Sequence, residues 1–327
     1  MMKGKKINLG GHLIIVILIA FWVVMMFASP TFRSLSNIES ILREASITGI
    51  AAIGMTFVII MGDFDLSIGS MLAMVGIMSA SLLNHTGSSA LAVIFAIAMA
   101  TVCGLLNGVV IAYCNLPAFI MTLGTYYIFR AYAYIFNKAI GIPISNKEFI
   151  SIANNNIGVL PIPFILLIIV GVAAAILLNR TVYGREVVAL GNSILASRVS
   201  GINTKRVKMI AFGILGFCTG ISAVLTTGRQ TLASPDVAKN FHFDAITMVV
   251  LGGTKMSGGE GSITNTMFAA VLYALITNLL NQFHVDAQWQ RIVMGTILLV
   301  AFSFDFFSDL IAKHRTKQQI RKMEASA

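Results

Sequence analysis

Long apolar segments alternate with short polar links along almost the whole chain. Most of the segments hold about 17 or more residues, close to the roughly 20 that an α-helix needs to cross the hydrocarbon core of a bilayer. The pattern predicts an all-α polytopic membrane protein in which residues 1–327 form a single transmembrane domain. About ten transmembrane helices are expected, at 12–28, 45–61, 66–83, 90–113, 119–136, 160–178, 209–228, 244–257, 262–281 and 289–309.

A polar interruption divides the apolar sequence of the second and third segments. One apolar stretch ends at Gly62, Asp63 and Asp65 follow, and another apolar stretch begins at Leu66. Ionisable residues within a membrane protein mark a polar cavity or a place where the chain meets water. A plain cytoplasmic turn between two spanning helices is the alternative interpretation.

A second interruption matches the first. The segment 243–273 has a short apolar part, a glycine-rich polar break and a new apolar helix, and both breaks close with a Gly-Ser pair, at 69–70 and 261–262. Paired, glycine-interrupted apolar segments in corresponding positions point to the binding path of a transporter. The chain is therefore predicted to have two weakly repeated halves, each with a Gly-rich broken segment, and the two breaks are expected to approach each other.

The distribution of charge predicts the topology. Only 11% of the residues are charged, against roughly 25% in soluble domains, and the net charge of +10 arises from loops on one side rather than from a nucleic-acid-binding surface. With ten spans, the N-terminal lysines, the loop 179–208 and the basic tail 313–327 all lie in the cytoplasm, as the positive-inside rule requires. Both termini are then cytoplasmic, and the short segment 244–257 is expected to cross the membrane.

The apolar run at 12–28 has a second interpretation as a secretory signal peptide, because three lysines precede it. The run is long for a signal peptide, and no clean small-residue cleavage site follows it at Ser29-Pro30. We therefore expect it to remain as the first helix.

The cytoplasmic loop 179–208 contains the pattern of a short capped helix. Gly191 and Gly201 can end helical elements, and Asn192 or Ser193 can cap a helix between them. An apolar stripe on a segment that faces water predicts a groove on a partner protein, and the alternative is an amphipathic helix on the bilayer surface. The stripe consists of Ile194, Leu195, Val199 and Ile202.

Enzyme and cofactor chemistry has little support in the sequence. The run 256–260, Met-Ser-Gly-Gly-Glu, superficially matches the signature of ABC ATPases, but no Gly-x-x-x-x-Gly-Lys-Ser/Thr loop accompanies it to hold phosphates. The histidines are scattered, and the spacing of Cys103, Cys114 and Cys218 suits neither a metal site nor a disulfide framework. No catalytic residue, metal or cofactor is predicted, and the three cysteines are interpreted as small packing residues.

Several motifs occur in one order along nearly the whole chain. They are Gly54-Met55-Thr56, Asp65-Leu66-Ser67 with Gly69-Ser70, Pro117-Ala118-Phe119-Ile120 with Thr122-Leu123-Gly124, Gly191-Asn192 through Ser200-Gly201-Ile202, and Asp244-Ala245-Ile246 with Gly252-Gly253-Thr254 and Gly258-Gly259. Together they resemble the ribose-type sugar ABC transporter permeases of the branched-chain amino acid permease superfamily. One departure is Asp63-Phe64, where that family more often has Gly-Ile, and it adds a charge at the first break.

The resemblance implies a subunit of the bacterial inner membrane that forms the translocation path of an ATP-driven importer for a monosaccharide such as ribose. The partners it implies are a cytoplasmic ABC ATPase that hydrolyses the ATP, a periplasmic or lipid-anchored sugar-binding protein, and a second permease copy or paralogue. Similar permeases carry the sugar-like signal autoinducer-2, which is the alternative solute. Rivals from other classes are a proton-coupled secondary transporter with Asp63 or Asp65 as the proton carrier, and a membrane-embedded enzyme.

Two groups of candidate residues follow from the breaks, the loop and the resemblance. The expected translocation path comprises Asp65, Ser67, Asn107, Phe119, Thr122, Gly252, Gly253 and Ser257. The expected ATPase-coupling residues are Gly191, Asn192, Leu195, Arg198, Ser200 and Gly201. Packing between helices is an equally open interpretation of Asn107. Because an unpaired charge at membrane depth costs about 2.5–3.5 kcal/mol, Asp65 is expected to be paired, hydrogen-bonded by backbone N–H groups, or hydrated.

Overall fold

The fold is almost entirely helical in the residues that the computed structural model describes, 9–28 and 30–303, with side chains described from residue 14 onwards. The N-terminal lysines and the tail 313–327 lie outside these residues, so their predicted side of the membrane stays a prediction. The helices are α1 (Leu9–Ala28), α2 (Leu35–Ile60), α3 (Ile68–Thr86), α4 (Ser89–Cys114), α5 (Ala118–Phe136), α6 (Lys147–Asn154), α7 (Ile162–Arg180), α8 (Val182–Asn192), α9 (Ile194–Val199), α10 (Thr204–Gln230), α11 (Phe241–Leu251), α12 (Ile263–Gln282) and α13 (287–303).

Two short antiparallel ribbons and one 3-10 turn complete the described structure. The turn is Pro30–Arg33, ahead of α2. Strand β1 (Ile142–Pro143) pairs with β4 (Leu232–Ala233), and β2 (Asn156–Ile157) pairs with β3 (Leu160–Pro161). The first ribbon fastens the link after α5 to the segment after α10.

Each of the ten predicted segments overlaps a described helix, and six described helices are long and apolar enough to cross a membrane. Those six are α2, α3, α4, α7, α10 and α12. The prediction of an all-α, multi-pass membrane protein is confirmed at this level. The count of ten crossings stays a prediction.

The segment predicted at 244–257 is shorter than expected. Helix α11 has 11 residues, so it is about 16 Å long, whereas the hydrocarbon core is about 30 Å thick. The helix ends at Leu251 because Gly252 and Gly253 follow it. Helix α11 is therefore too short to span the hydrocarbon core by itself, and the crossing of segment 244–257 stays a prediction.

Polar links that the sequence left as loops are largely helical. Helix α2 begins at Leu35, within the link before segment 45–61, and the hydroxyl of Ser34 caps it by accepting a hydrogen bond from the amide of Asn37. The loop 179–208 contains α9, which is the predicted short capped helix, together with α8 and the start of α10, which were not predicted there. Hydropathy detects the apolar part of a helix but not its polar extension, and capping side chains set the observed ends.

Helix α2 forms the centre of the fold. Every residue from Ala45 to Ile60 is buried, and the helix packs against α7, α10, α11 and α12. An apolar helix that is buried on all faces belongs inside a bundle rather than against lipid. This position places both ends of α2 among other elements, where they take part in the sites described below.

Helices α4 and α10 approach each other closely through glycines. Gly104 lies against Gly216 and the carbonyl of Phe212, and Gly108 lies against Met209. Small residues let helix backbones approach within a membrane bundle. Cys103 and Cys218 are buried on the same two helices, as their packing role predicts, whereas Cys114 is exposed at the end of α4.

The two breaks begin with the same backbone motif. Gly62 and Gly253 have left-handed φ angles of 83° and 77°. Each glycine amide donates to the carbonyl three residues earlier, and the next amide donates to the carbonyl five residues earlier, which is a Schellman cap. The bonds are Gly62 to Ile59 (2.8 Å), Asp63 to Val58 (3.1 Å), Gly253 to Val250 (2.8 Å) and Thr254 to Val249 (3.2 Å). The structure therefore pairs the ends of α2 and α11 as the sequence repeat does.

The Gly-Ser pairs that close the two breaks in sequence are not structural equivalents. Ser262 is the N-cap of α12, and its hydroxyl accepts from the amide of Asn265. Gly69 and Ser70 instead lie in the first turn of α3, whose N-cap is Ser67. When the two breaks are aligned at the N-caps of the helices that follow them, Ser67 and Ser262, the second break is longer than the first.

Candidate functional site

Asp65 is the centre of a buried polar cluster behind the first break. The side chain is 1% exposed, and its Oδ1 accepts hydrogen bonds from the backbone amide and the hydroxyl of Ser67, both at 2.6 Å. Asn107 on α4 donates to Asp65 Oδ2 at 3.4 Å and to Ser67 Oγ at 3.0 Å. We call these three residues the Asp65 cluster. The expected hydrogen bond from a backbone N–H to Asp65 is present.

The Asp65 cluster ties the first break to α4 and presents a carboxylate to the start of α3. Negative charge is favourable there because the first amides of a helix carry partial positive charge. The three side chains are directed at one another, so their bonding capacity is largely used within the protein. This geometry shows that the three residues hold the first break in place. Their place in a translocation path stays a prediction.

The other expected path residues lie apart from the Asp65 cluster. The ring of Phe119 is half-exposed, 6.0 Å from the ring of Phe64, and the buried hydroxyl of Thr122 donates to the carbonyl of Ala118 within α5. In the second break, Gly252 packs against α12, whereas Gly253 and Ser257 are exposed.

The two breaks meet at the end of α8. The amide of Gly259 donates to the carbonyl of Ile60 at 2.8 Å. Gly191 packs so closely that a methyl group in place of its hydrogen would collide with the Ile60 carbonyl and the Gly259 amide, and the side chain of Asn192 lies against Gly259. We call Ile60, Gly191, Asn192 and Gly259 the junction. Two of the expected coupling residues therefore lie at the junction: Gly191 touches both breaks, and Asn192 touches the second.

An ion pair lies beside the junction. Lys208 Nζ, at the start of α10, is 2.5 Å from Asp63 Oδ2, and both side chains are half-buried. A cavity of about 230 Å³ opens here, and its lining includes Asp63, Lys208, Arg198 and Lys205. Lys208, on the helix that follows α9, thus neutralises the charge of Asp63 in the first break.

Helix α9 presents an apolar surface next to this cavity. Ser193, rather than Asn192, caps it by accepting from the amide of Ala196, and α8 continues through Gly191 to Asn192 instead of ending at the glycine. After the C-cap Ser200, Gly201 takes a left-handed φ of 80°. Leu195 is 74% and Val199 83% exposed. Ile194 is also exposed, whereas Ile202 is half-buried and packs against the core. Three of the four residues of the predicted stripe are therefore exposed.

A larger cavity, of about 760 Å³, lies between α2, α11, α12, α13 and the segment 234–240. Its lining includes charged, hydroxyl and aromatic side chains, but none of the eight residues that the sequence analysis placed on a path. We call it the outer cavity, because it lies at the end of the bundle opposite α9.

The lengths of α10 and α2 show how far α9 lies from the outer cavity. Helix α10 has 27 residues, which makes it about 40 Å long; it begins just after α9 and leads at its other end, through β4, into the segment 234–240. Helix α2 repeats this arrangement, since Glu44 and Thr48 line the outer cavity and Ile60 belongs to the junction.

The wall of the outer cavity carries a hydrogen-bonded pair between helices. Tyr273 on α12 donates to Asp244 on α11 at 2.5 Å. Glu44 and Arg291 line the same cavity as Asp244. Thr48 and Thr247 are buried and also line the cavity.

Arg130, in α5, fixes the rim of the outer cavity. Its guanidinium donates to the carbonyls of Pro235 (2.6 Å) and Val237 (2.8 Å) and to the hydroxyl of Ser70 (3.2 Å). Arginine suits this position better than lysine because its planar guanidinium presents several N–H donors in a fixed geometry. On the same rim, the hydrogen bond from Lys239 lowers the pKa of the Asp236 carboxyl.

Sequence reasoning missed the residues of the outer cavity, although a signal was present. Glu44, Asp244 and Arg291 are ionisable residues at or inside predicted apolar segments, which is the pattern that marks polar cavities in membrane proteins. Only Asp63 and Asp65 were predicted from this pattern to mark a polar cavity. The cavity residues come from helices far apart in sequence, so only the fold brings them together.

Comparisons with known proteins agree with the multi-helical fold. A family model described as the permease component of branched-chain amino acid transport systems matches residues 37–302. The ribose import permease protein RbsC of Haemophilus influenzae is 32% identical over 317 residues, covering 93% of this chain and 98% of its own. RbsC of Bacillus subtilis is 32% identical, with coverages of 92% and 94%.

The L-arabinose transport system permease protein AraH of Escherichia coli is 31% identical, covering 90% of this chain and 89% of its own. No solved structure matches the chain. The family match spans most of the chain and these relatives are similar over nearly their whole length, so the resemblance seen in the motifs is confirmed. The chain belongs to the branched-chain amino acid transport permease family, as a ribose-type ABC transporter permease.

Proposed function

We propose that this chain is the membrane-spanning subunit of an ATP-driven importer for a monosaccharide such as ribose. The observation that carries the proposal is the exposed apolar helix α9, which adjoins the junction of the two breaks. Relatives named for ribose and L-arabinose support a pentose rather than autoinducer-2 as the solute. ATP is hydrolysed by a separate cytoplasmic subunit, and a sugar-binding protein delivers the solute on the opposite side.

The docking surface for the ATPase is α9 with its flanking caps. Leu195 and Val199 are among the most exposed apolar side chains of the described residues, and Arg198 is available for a carboxylate on the partner. Gly191, one turn earlier, contacts both breaks, and Asn192 contacts the second. A rigid displacement of α9 by the ATPase is therefore transmitted directly to the ends of α2 and α11, with Ser200 and Gly201 ending the helix that is displaced.

Replacement of Leu195 by Glu tests this docking surface. A charge at this position would be buried and unpaired in the complex, at a cost of several kcal/mol, so we expect the permease to insert normally but to lose its ATPase during co-purification. Leu232→Glu is a matched control, because Leu232 is also exposed but lies after the opposite end of α10. If the Leu195→Glu variant retains the ATPase at wild-type yield, α9 lies on the bilayer surface instead.

The translocation path in this proposal runs from the outer cavity past the two breaks to the α9 end. Phe119 and Thr122 on α5, and Gly252, Gly253 and Ser257 in the second break, border its inner part. The Asp65 cluster supports this part from behind. A second permease copy or paralogue completes the transporter, and both termini lie in the cytoplasm.

A proton-coupled secondary transporter is the rival from another class. Asp63 is paired with Lys208, and Asp65 accepts three hydrogen bonds, so neither carboxylate is an open proton carrier in this conformation. Uptake in reconstituted vesicles separates the two classes. An ATP-driven importer requires ATP and the ATPase subunit, whereas a proton gradient alone would drive the rival.

A further inference from the structure

We infer that the outer cavity is a binding site for a polyhydroxylated, uncharged solute within a single permease chain. The inference rests on the proposed function, because it assigns to the imported sugar a first resting place in the membrane subunit. It goes beyond that function by placing the site on α2, α11, α12 and α13 rather than at the breaks.

The size of the cavity suits a small solute with part of its hydration. Its volume of about 760 Å³ falls within the roughly 300–1,000 Å³ of ligand pockets. Such pockets combine a mostly apolar lining with a few polar groups that fix orientation. Here the apolar part includes Phe241, Phe243 and Met248, and aromatic rings offer flat apolar faces to the C–H side of a sugar ring.

The polar groups match the hydroxyls of a sugar in both donor and acceptor capacity. Carboxylates accept hydrogen bonds only, guanidinium groups donate only, and threonine hydroxyls do both. Glu44 and Asp244 supply the first kind, Arg291 supplies the second and Thr48 supplies the third. Thr247 adds an acceptor, because its hydroxyl proton is donated to the Phe243 carbonyl. A solute with several adjacent hydroxyls can bond to all three kinds at once, whereas an apolar or singly charged solute cannot.

Several of these groups have unused bonding capacity. Within the described ranges 9–28 and 30–303, Glu44, Thr48 and Arg291 make no hydrogen bond or ion pair with another residue, although all three line the cavity. Asp244 receives one bond, from Tyr273, and retains acceptor positions. Thr48 is buried, whereas Glu44 and Arg291 are exposed to the cavity and the surrounding solvent. Unsatisfied polar groups that share a cavity require water or a solute.

Uptake by substituted permeases tests the site. The assay uses the whole transporter in proteoliposomes, with its ATPase and binding protein, and D-ribose and L-arabinose as probes. Thr247→Val removes one hydroxyl without changing the side-chain shape, and we expect uptake per permease to fall about fivefold, the value of one lost hydrogen bond. Asp244→Asn should reduce it more, because bonds to a charged group are stronger.

The matched control is Thr226→Val on α10. Thr226 is buried like Thr247, and in each residue the hydroxyl donates at 2.7 Å to the carbonyl four residues earlier. Thr226 does not line the outer cavity. A generic effect of removing a buried hydroxyl would therefore appear in both variants, whereas loss of a solute contact appears in Thr247→Val alone.

Protection of a cysteine provides a readout independent of transport. A single cysteine at Thr277, a half-buried residue of the cavity wall, is labelled by a small thiol reagent in a background lacking Cys103, Cys114 and Cys218. We expect ribose to slow this labelling severalfold. A single cysteine at Leu195, at the opposite end of the bundle, should be labelled at the same rate with and without ribose.

The outcomes separate the inference from the proposed function. If wild-type transporter shows no ATP-dependent uptake of either sugar, the proposed function fails. If it transports, but Thr247→Val and Asp244→Asn equal wild type and ribose does not protect the cysteine at 277, the cavity is not the site and the importer function stands. If Thr247→Val, Asp244→Asn and the control Thr226→Val all lose uptake, the uptake assay does not discriminate and the cysteine-protection experiment decides. Equal labelling rates of the cysteine at 277 with and without ribose would then overturn the inference.

Discussion

Two neighbouring aspartates in the first break have different physical roles. Asp65 is buried, and its two oxygens accept hydrogen bonds from Ser67 and Asn107, so its charge is stabilised by fixed donors. Asp63 is half-buried and paired with a flexible lysine. The Asp63 and Lys208 side chains still reach solvent, at 15% and 17% exposure, so water can replace a lost partner there, whereas a fully buried charge that loses its donors is costly. The structure thus gives a physical reason to expect that Asp65 matters more than Asp63.

Replacement of Asp65 by Asn should damage the permease more than replacement of Asp63 by Asn. An amide at position 65 can satisfy the donors on Ser67 or the amide of Asn107, but not both, and leaving one buried polar group unsatisfied costs about 1–3 kcal/mol. We expect Asp65→Asn to lower both thermal stability in detergent and uptake at equal abundance, and Asp63→Asn to change them less. Equal uptake by Asp65→Asn and wild type would refute this expectation.

At this scale the sequence predicted a local cluster but not a distant one. Asp65 and Ser67 are two residues apart, and the cost of an unpaired charge at membrane depth predicted that Asp65 is paired, hydrogen-bonded by backbone N–H groups, or hydrated. Asn107 was left open between packing and path, and the structure places it in the cluster. Glu44, Asp244 and Arg291 converge from α2, α11 and α13. Their meeting depends on how four helices pack, which hydropathy does not encode.

At the scale of elements, the junction joins three segments through backbone atoms. The Gly259 amide binds the Ile60 carbonyl, and Gly191 fits between them because it lacks a side chain. Backbone contacts of this kind are insensitive to side-chain motion, so a displacement of α8 and α9 must move both breaks. The junction is therefore where the proposed ATPase movement enters the permease.

Replacement of Gly191 by Ala tests the junction. The added methyl group would collide with the Ile60 carbonyl and the Gly259 amide, forcing α8 away from the breaks. We expect uptake to fall sharply and fewer sugar molecules to enter per ATP hydrolysed. Gly124→Ala is the matched control, since nothing lies within 4 Å of the added carbon in α5, and it should behave as wild type. Normal coupling in the Gly191→Ala permease would remove the junction from the proposal.

The helices were predicted well from apolar runs, and their ends were not. The start of α2 at Leu35 depends on the Ser34 cap and on polar positions that hydropathy does not detect. Helix α8, between Thr181 and Ser193, has too few apolar residues to be detected as a segment, yet Val187 and Leu190 are buried against the bundle. The end of α11 at Leu251 is set by the Schellman cap of Gly253, so the second break begins earlier than the apolar pattern indicated.

At the scale of the whole molecule, the permease has two chemically different ends. One end carries the junction, the apolar surface of α9 and the cations Arg198, Lys205 and Lys208. The other carries the outer cavity and its rim, held by Arg130. Helix α10 connects them and, at about 40 Å, is longer than the roughly 30 Å hydrocarbon core. The arrangement suits an importer that receives solute at one face and is driven at the other.

Labelling from the two sides of the membrane tests this orientation. Leu195 on α9 is 74% exposed, and the Lys239 side chain on the cavity rim is 55% exposed. In a background lacking the three native cysteines, Lys239→Cys should react with a membrane-impermeant maleimide in right-side-out vesicles. Leu195→Cys should react only after the vesicles are permeabilised, because the basic loop that contains α9 is expected inside. A chain that keeps only the buried Cys218 should not react in either state. Reaction of both engineered cysteines from the same side would contradict the two-ended arrangement, and reaction of Leu195→Cys alone in sealed vesicles would invert it.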